Sequence, residues 1–219
     1  EPDALFLNDG QGNFEPVPWS GGTFSDEEGK PLAHGYRDLG LSAMFRDMNH
    51  DGLPDLYVCN DFQTPDRLWI NQGFGKFRLI KRSAIKVSSY SSMGVDVGDL
   101  SRDGMDDFMV VDMLSRTHRL KMTQRVEAAP SIQTTGEQIW DRPQISRNTV
   151  YVSEEHGQYA EVAHYAGLSA TEWSWAPVFM DVDLDGYEDI LIGNGHAQDN
   201  LDKDTLQNRS QFPNDSPQQ

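Results

Sequence analysis

One cysteine, Cys59, stands in 219 residues. No disulfide can form within the chain, so its stability must come from a core, from metal, or from both. Basic residues are scarce, with 18 Lys and Arg against 35 Asp and Glu and a formal net charge of -17. That deficit excludes nucleic acid as a partner, because phosphate-binding surfaces are built from clustered Lys and Arg. No apolar run is long enough for a membrane-spanning helix, and no leader peptide or lipidation signal is visible. Gly-x-Ser-x-Gly, phosphate-loop and dinucleotide fingerprints are also lacking. The histidines His34, His50, His118, His156, His164 and His196 fall at no spacing that suggests a zinc site or a catalytic triad. No catalytic residue is assigned.

What the chain does have is one acidic ladder, written three times: Asp47, Asn49, Asp51, Gly52, Asp55; Asp99, Ser101, Asp103, Gly104, Asp107; Asp181, Asp183, Asp185, Gly186, Asp189. Each places oxygen side chains at positions one, three, five and nine and glycine at six. Oxygens at alternating positions of a tight turn converge, and a hard cation such as Ca2+ takes six to eight of them. Position seven (Leu53, Met105, Tyr187) offers its backbone carbonyl. At position twelve an EF-hand would carry a bidentate Glu, whereas this chain has Val58, Val110 and Ile192. The residues that follow each ladder (Leu56-Tyr57-Val58, Phe108-Met109-Val110, Ile190-Leu191-Ile192) predict strands rather than helices. An Asp/Asn/Gly turn that binds nothing is the plainer account of a single copy. Threefold repetition favours calcium, about three ions in all. The ten aspartates of the ladders would repel one another without cations.

A second motif alternates with the first. Leu5-Phe6-Leu7-Asn8-Asp9-Gly10-Gln11-Gly12-Asn13-Phe14 recurs as Leu68-Trp69-Ile70-Asn71-Gln72-Gly73-Phe74-Gly75-Lys76-Phe77, and loosely around Val150-Tyr151-Val152 and Tyr159. Each reads as a hairpin with a Gly/Asn turn. The combined unit is therefore four strands, A and B joined by the acidic loop, C and D by the glycine turn, repeating at about 52 residues with two insertions. Such units predict an all-β partial β-propeller of four-stranded blades. The expected parts are a C-D hairpin at about 4–18, a blade at 43–80, a blade at 91–162 with an insertion at 112–147, and an A-B hairpin at 173–194. Residues 201–219 read as a polar tail or linker. This makes three blades' worth, whereas propellers close with four to eight. Further blades are expected from the same longer chain or from an assembly.

Asp-x-Asn-x-Asp-Gly-x-x-Asp-Leu followed by Leu-x-x-Asn-x-Gly-x-Gly-x-Phe resembles the FG-GAP or VCBS repeat of integrin-type propellers. The stretches Ser92 to Asp99, Val111-Asp112-Met113-Leu114, Ala166-Gly167-Leu168 and Glu172 to Pro177 resemble the bacterial relatives of cartilage acidic protein and UnbV. The resemblance spans most of residues 1–200. It implies a secreted or surface propeller with calcium-filled loops, and most such bacterial proteins have no assigned activity. Ser101 departs from the pattern's Asn or Asp, so the second loop is expected to bind more weakly.

The resulting expectation is a non-catalytic calcium-binding module, secreted, periplasmic or at the cell surface, that binds a protein or polysaccharide ligand in adhesion or assembly. Extracellular calcium modules have affinities of about 10⁻⁴ to 10⁻³ M, which suits that location. The alternative is a calcium-dependent polysaccharide-active enzyme on the same scaffold. Cys59, in a predicted B strand, reads as a small buried hydrophobe. His196 could contact a ligand beyond a strand end, although a surface turn is the simpler account. Trp173, Trp175 and Phe179 alternate along one predicted strand face and could stack a sugar, with core packing the simpler alternative. The 112–147 insertion carries Arg116, His118, Arg119, Lys121 and Arg125 with no acid before Glu127, a basic patch that could dock an acidic partner.

Overall fold

The computed structural model describes residues 2–62, 64–123 and 142–195. Strand order along the chain begins with β1 (Phe6–Asn8), β2 (Phe14–Pro16), β3 (Phe24–Ser25), β4 (Gly40–Arg46), β5 (Asp55–Asn60), β6 (Arg67–Asn71) and β7 (Phe77–Leu79). Next come β8 (Ser88–Ser89), β9 (Gly94–Gly98), β10 (Asp107–Val111), β11 (Met113–Leu114) and the short helix α1 (His118–Thr123). The series ends with β12 (Gln144–Ile145), β13 (Thr149–Glu154), β14 (Gln158–Glu161), β15 (Glu172–Met180) and β16 (Asp189–Asn194). The architecture is all-β.

Two antiparallel ladders share one plan. β4, β5, β6 and β7 pair in sequence order, with Phe45 opposite Leu56 and Leu56 opposite Trp69. Similarly, β9, β10, β13 and β14 form a four-stranded sheet with Val97 opposite Phe108 and Phe108 opposite Tyr151. β15 and β16 repeat the first half of that plan, and β1 and β2 form a separate two-stranded sheet. Short additions fill the gaps between these ladders. β3 lies parallel beside β7, β8 lies parallel beside β12, and β11 pairs with β15.

Alternation within a strand explains how the sheets stack. Successive side chains point to opposite faces. Every residue of β5 and of β10 is buried, so these are strands covered on both sides. Tyr57 and Cys59 of β5 meet Phe108 and Val110 of β10 in one core, with Tyr151 and Tyr159. Phe108 stacks on Tyr151 with ring centroids 4.4 Å apart. The opposite faces go elsewhere. Leu56 and Val58 pack with Trp69 and Phe24 under Leu5, Val17 and Trp19, whereas Met109 and Val111 pack with Val150 against Phe179, Ile190 and Ile192. The burial of Cys59 agrees with its reading as a hydrophobe.

Close approach of β9 and β15 requires glycine. A Cβ at Gly94 would lie 2.6 Å from the Trp175 carbonyl oxygen, too near for any side chain. The Phe179 N–H completes the contact by donating to Asp96 Oδ2 at 2.7 Å. In β15 a bulge between Ser174 and Ala176 breaks the strand's alternation. Trp173, Trp175 and Phe179 therefore do not form the single stripe expected from their spacing. Phe179 enters the core, while Trp175 is 44% exposed and its indole N–H donates to the Gly195 carbonyl at 2.6 Å.

A buried polar layer supports the ends of the sheets away from the acidic loops. Asp66 accepts from Tyr57 Oη, Ser92 Oγ and the Asn60 N–H, each at 2.8 Å. Burial raises its carboxyl to about 7. The buried Arg142 guanidinium donates to the carbonyls of Ile85, Asp66 and Ile80 at 2.8, 3.1 and 3.2 Å, tying three turns together.

Candidate metal loops

The three ladders occupy the turns β4–β5, β9–β10 and β15–β16. Their backbones fold alike because the same side chains cap the same N–H groups. In the first, Asp47 Oδ1 accepts from the Asp51 N–H at 3.0 Å and Oδ2 from the Gly52 N–H at 2.8 Å. Asp99 does the same for Asp103 and Gly104, both at 3.0 Å, and Asp181 for Asp185 and Gly186 at 3.0 and 2.8 Å. The position-five carboxylate then accepts from the N–H of position seven in every copy, at 2.8 or 2.9 Å. These contacts hold the carboxylates on the inside of the turn. The glycine at position six takes φ of 88°, 84° and 85°, the left-handed region in which a Cβ is strained.

Position nine links each turn to its own strands. Asp55 accepts from the Met48 N–H and from the Asn71 N–H of β6, at 3.1 and 2.7 Å. Asp107 accepts from Ser101 and from Ser153 of β13, at 2.7 and 2.8 Å. Asp189 accepts from Val182 at 3.1 Å. Burial pushes the Asp55 carboxyl up to about 6 and raises that of Asp107, despite these donors. A carboxylate buried at that cost is one that a divalent cation would stabilise in its charged form.

Carboxylates converge most closely in the third turn. One oxygen from each of Asp181, Asp183 and Asp189 falls within 4.8 Å of the others. The first two ladders have Asn49 and Ser101 where the third has Asp183. Asn49 there is a neutral side chain that donates to Asp51 Oδ2 at 3.0 Å. At ladder positions one, three, five and nine every candidate side-chain ligand offers oxygen, a set suited to a hard cation.

The turns also touch one another, which the sequence reading did not foresee. Arg46 makes a bidentate pair with Asp106 of the second turn, at 2.7 and 2.8 Å. His50 Nε2 lies 3.6 Å from the same carboxylate. Arg102 of the second turn covers the Tyr187 ring of the third at 4.2 Å. His50, Arg102 and Leu184 occupy position four of their turns, all with left-handed φ between 57° and 62°. Non-glycine residues in that region are uncommon.

Other expected candidates fall elsewhere. Arg116 pairs with Glu172 at 3.5 Å and β11 joins β15, so the start of the insertion is part of the third sheet. Arg125, Glu127 and His196 lie outside the described residues, as does the 201–219 tail. Among the described residues, no helix is long and apolar enough to cross a membrane.

A family model described as an FG-GAP-like repeat matches residues 47–110, from the first residue of the first acidic ladder into β10. The match supports an FG-GAP-type repeat in this chain, consistent with its β-rich fold. No curated protein and no solved structure matches the chain.

Proposed function

We propose that the chain is a calcium-binding β-propeller-type module, without catalytic chemistry of its own, that binds a protein or glycan outside the cytoplasm in adhesion or assembly. The observation that carries this reading is the threefold recurrence of one oxygen ladder with one pattern of backbone capping. The ligands would be the side chains of Asp47, Asn49, Asp51 and Asp55, of Asp99, Ser101, Asp103 and Asp107, and of Asp181, Asp183, Asp185 and Asp189. Leu53, Met105 and Tyr187 would add their carbonyls. Calcium here would supply charge neutralisation and cross-linking of turns to strands, not activation of a substrate. The stretches from Ser92 to Asp99 and from Glu172 to Pro177 favour kinship with the bacterial relatives of cartilage acidic protein and UnbV.

Calorimetric titration of calcium into chelator-treated protein, paired with thermal melts, tests the reading. Site affinities of about 10⁻⁴ M would stabilise the fold by ~2 kcal/mol per site at about 2 mM calcium. The expected result is saturable heat and a melting temperature several degrees higher. An unchanged melt and no binding heat would overturn the assignment. A glycan array read with and without calcium addresses the ligand.

A further inference from the structure

The first acidic turn is seated on the second sheet, and residues next to its candidate ligands do the seating. Met48, at position two, is 3% exposed and enters the core shared with Phe108 and Tyr159, and its carbonyl accepts from Tyr159 Oη at 3.4 Å. Arg46 stands one residue before Asp47 and faces Asp55 across the β4–β5 ladder, so it adjoins both end carboxylates of its turn. Its guanidinium reaches Asp106, the residue before Asp107 at position nine of the second turn. Nε donates to Oδ2 at 2.7 Å and Nη2 to Oδ1 at 2.8 Å. His50, between Asn49 and Asp51, lies 3.6 Å from the same carboxylate, and the Asp106 side chain is only 6% exposed. Holding both oxygens of a buried carboxylate fixes the backbone beside it, and Asp107 is the next residue.

The junction between the second and third turns is built differently. There Arg102 lies over the Tyr187 ring at 4.2 Å, and Tyr187 is 59% exposed. A solvent-facing cation–π contact has neither the bidentate geometry nor the burial of the Arg46–Asp106 pair.

We propose that the first two turns load calcium cooperatively, with the Arg46–Asp106 pair as the positioning link between them. The inference rests on the calcium reading above. Two effects of opposite sign act across the link. Filling one turn removes negative charge that would draw a cation to the other, which opposes joint loading. Salt weakens that effect, because exposed charges more than about 8 Å apart are largely screened at physiological ionic strength. Ordering acts the other way. Ladder carboxylates without a cation repel one another, so a turn is drawn together as it loads, and the cost falls when one end is already held. Loading either turn fixes Arg46 or Asp106, and the bidentate pair passes that order to the other. By linkage each turn raises the other's affinity by the same factor, about fivefold or more for couplings of this kind.

Titration calorimetry on three proteins measures that factor, all carrying Asp185→Ala to silence the third turn. One keeps both remaining turns, one adds Asp103→Ala and keeps the first, and one adds Asp51→Ala and keeps the second. The product of the two association constants in the first protein should exceed the product of the single-turn constants by about fivefold or more. Arg46→Gln and, separately, the isosteric Asp106→Asn should bring that ratio to about one, with circular dichroism unchanged. Hydrogen exchange gives a readout that needs no substitution at the link. In the protein with Asp103→Ala, loading the first turn should slow amide exchange from Asp99 to Asp107. A ratio of one with the link intact, a ratio that survives both link substitutions, or exchange in the second turn indifferent to loading of the first would overturn the proposal while leaving the calcium reading in place. Absence of binding in all three proteins would overturn both.

Discussion

β10 and β16 occupy the same place in their respective units, yet one is buried on both faces and the other on one. Phe108, Met109, Val110 and Val111 are fully enclosed, whereas Leu191 stands in solvent. The two strands have similar sequences and the same acidic turn before them. What separates them is the neighbour: among the described residues, sheets lie on both sides of β10 and on one side of β16. Apolar residues in this repeat are thus matched to a stack of sheets, and burial is a property of position in the stack rather than of the strand itself.

Substitutions can break that comparison. Phe108→Ala should cost about 4 kcal/mol, through lost transfer energy and the cavity left beside Tyr151. Leu191→Ala should cost less than about 0.5 kcal/mol in dilute monomer, as measured by urea denaturation. Equal costs would show that the outer face is covered in solution. The turns allow a smaller contrast. Ser101→Asp gives the second ladder the carboxylate that Asp183 gives the third, and titration calorimetry should show its calcium affinity rising by about tenfold, ~1.4 kcal/mol. No change would mean that position three is not a ligand.

The buried layer between the first two sheets supplies a contrast that depends on pH. Asp66 has a folded carboxyl near 7 against an ordinary 3.8, so between those values the folded state holds a proton that the unfolded state has released. Its contribution is therefore fully present below about pH 4 and is lost as pH rises through 7. The slope is at most ~1.4 kcal/mol per pH unit. Asp66→Asn, which cannot ionise, should flatten the dependence of melting temperature on pH across this window. An unaltered slope would show that Asp66 stays charged.

Much of the sheet plan was legible because its signals are local. The Asp-Gly turn and the aliphatic run after it announce β5, β10 and β16, and Asn71 to Gly75 announces the turn into β7. β3, β8, β11 and β12 were not legible. Strands of two residues carry no period, and their partners lie far along the chain. The Trp173, Trp175, Phe179 stripe failed because one bulge shifts the phase of every residue beyond it. Among site residues the ladders read directly, being made of adjacent residues. The Arg46–Asp106 and Arg102–Tyr187 contacts arise only when sheets stack, so spacing along the chain says nothing of them.

The left-handed residue at position four has one more consequence. In the first two turns its side chain leans toward the turn that follows in sequence and never toward the one before. The row of crowns consequently has a polarity, like an arrow drawn along the edge of the molecule. An elongated ligand laid across two crowns would find unlike surroundings at its two ends, with imidazole, guanidinium and phenol encountered in a set order. Reversing such a ligand would change its contacts, although the acidic ladders beneath are nearly the same.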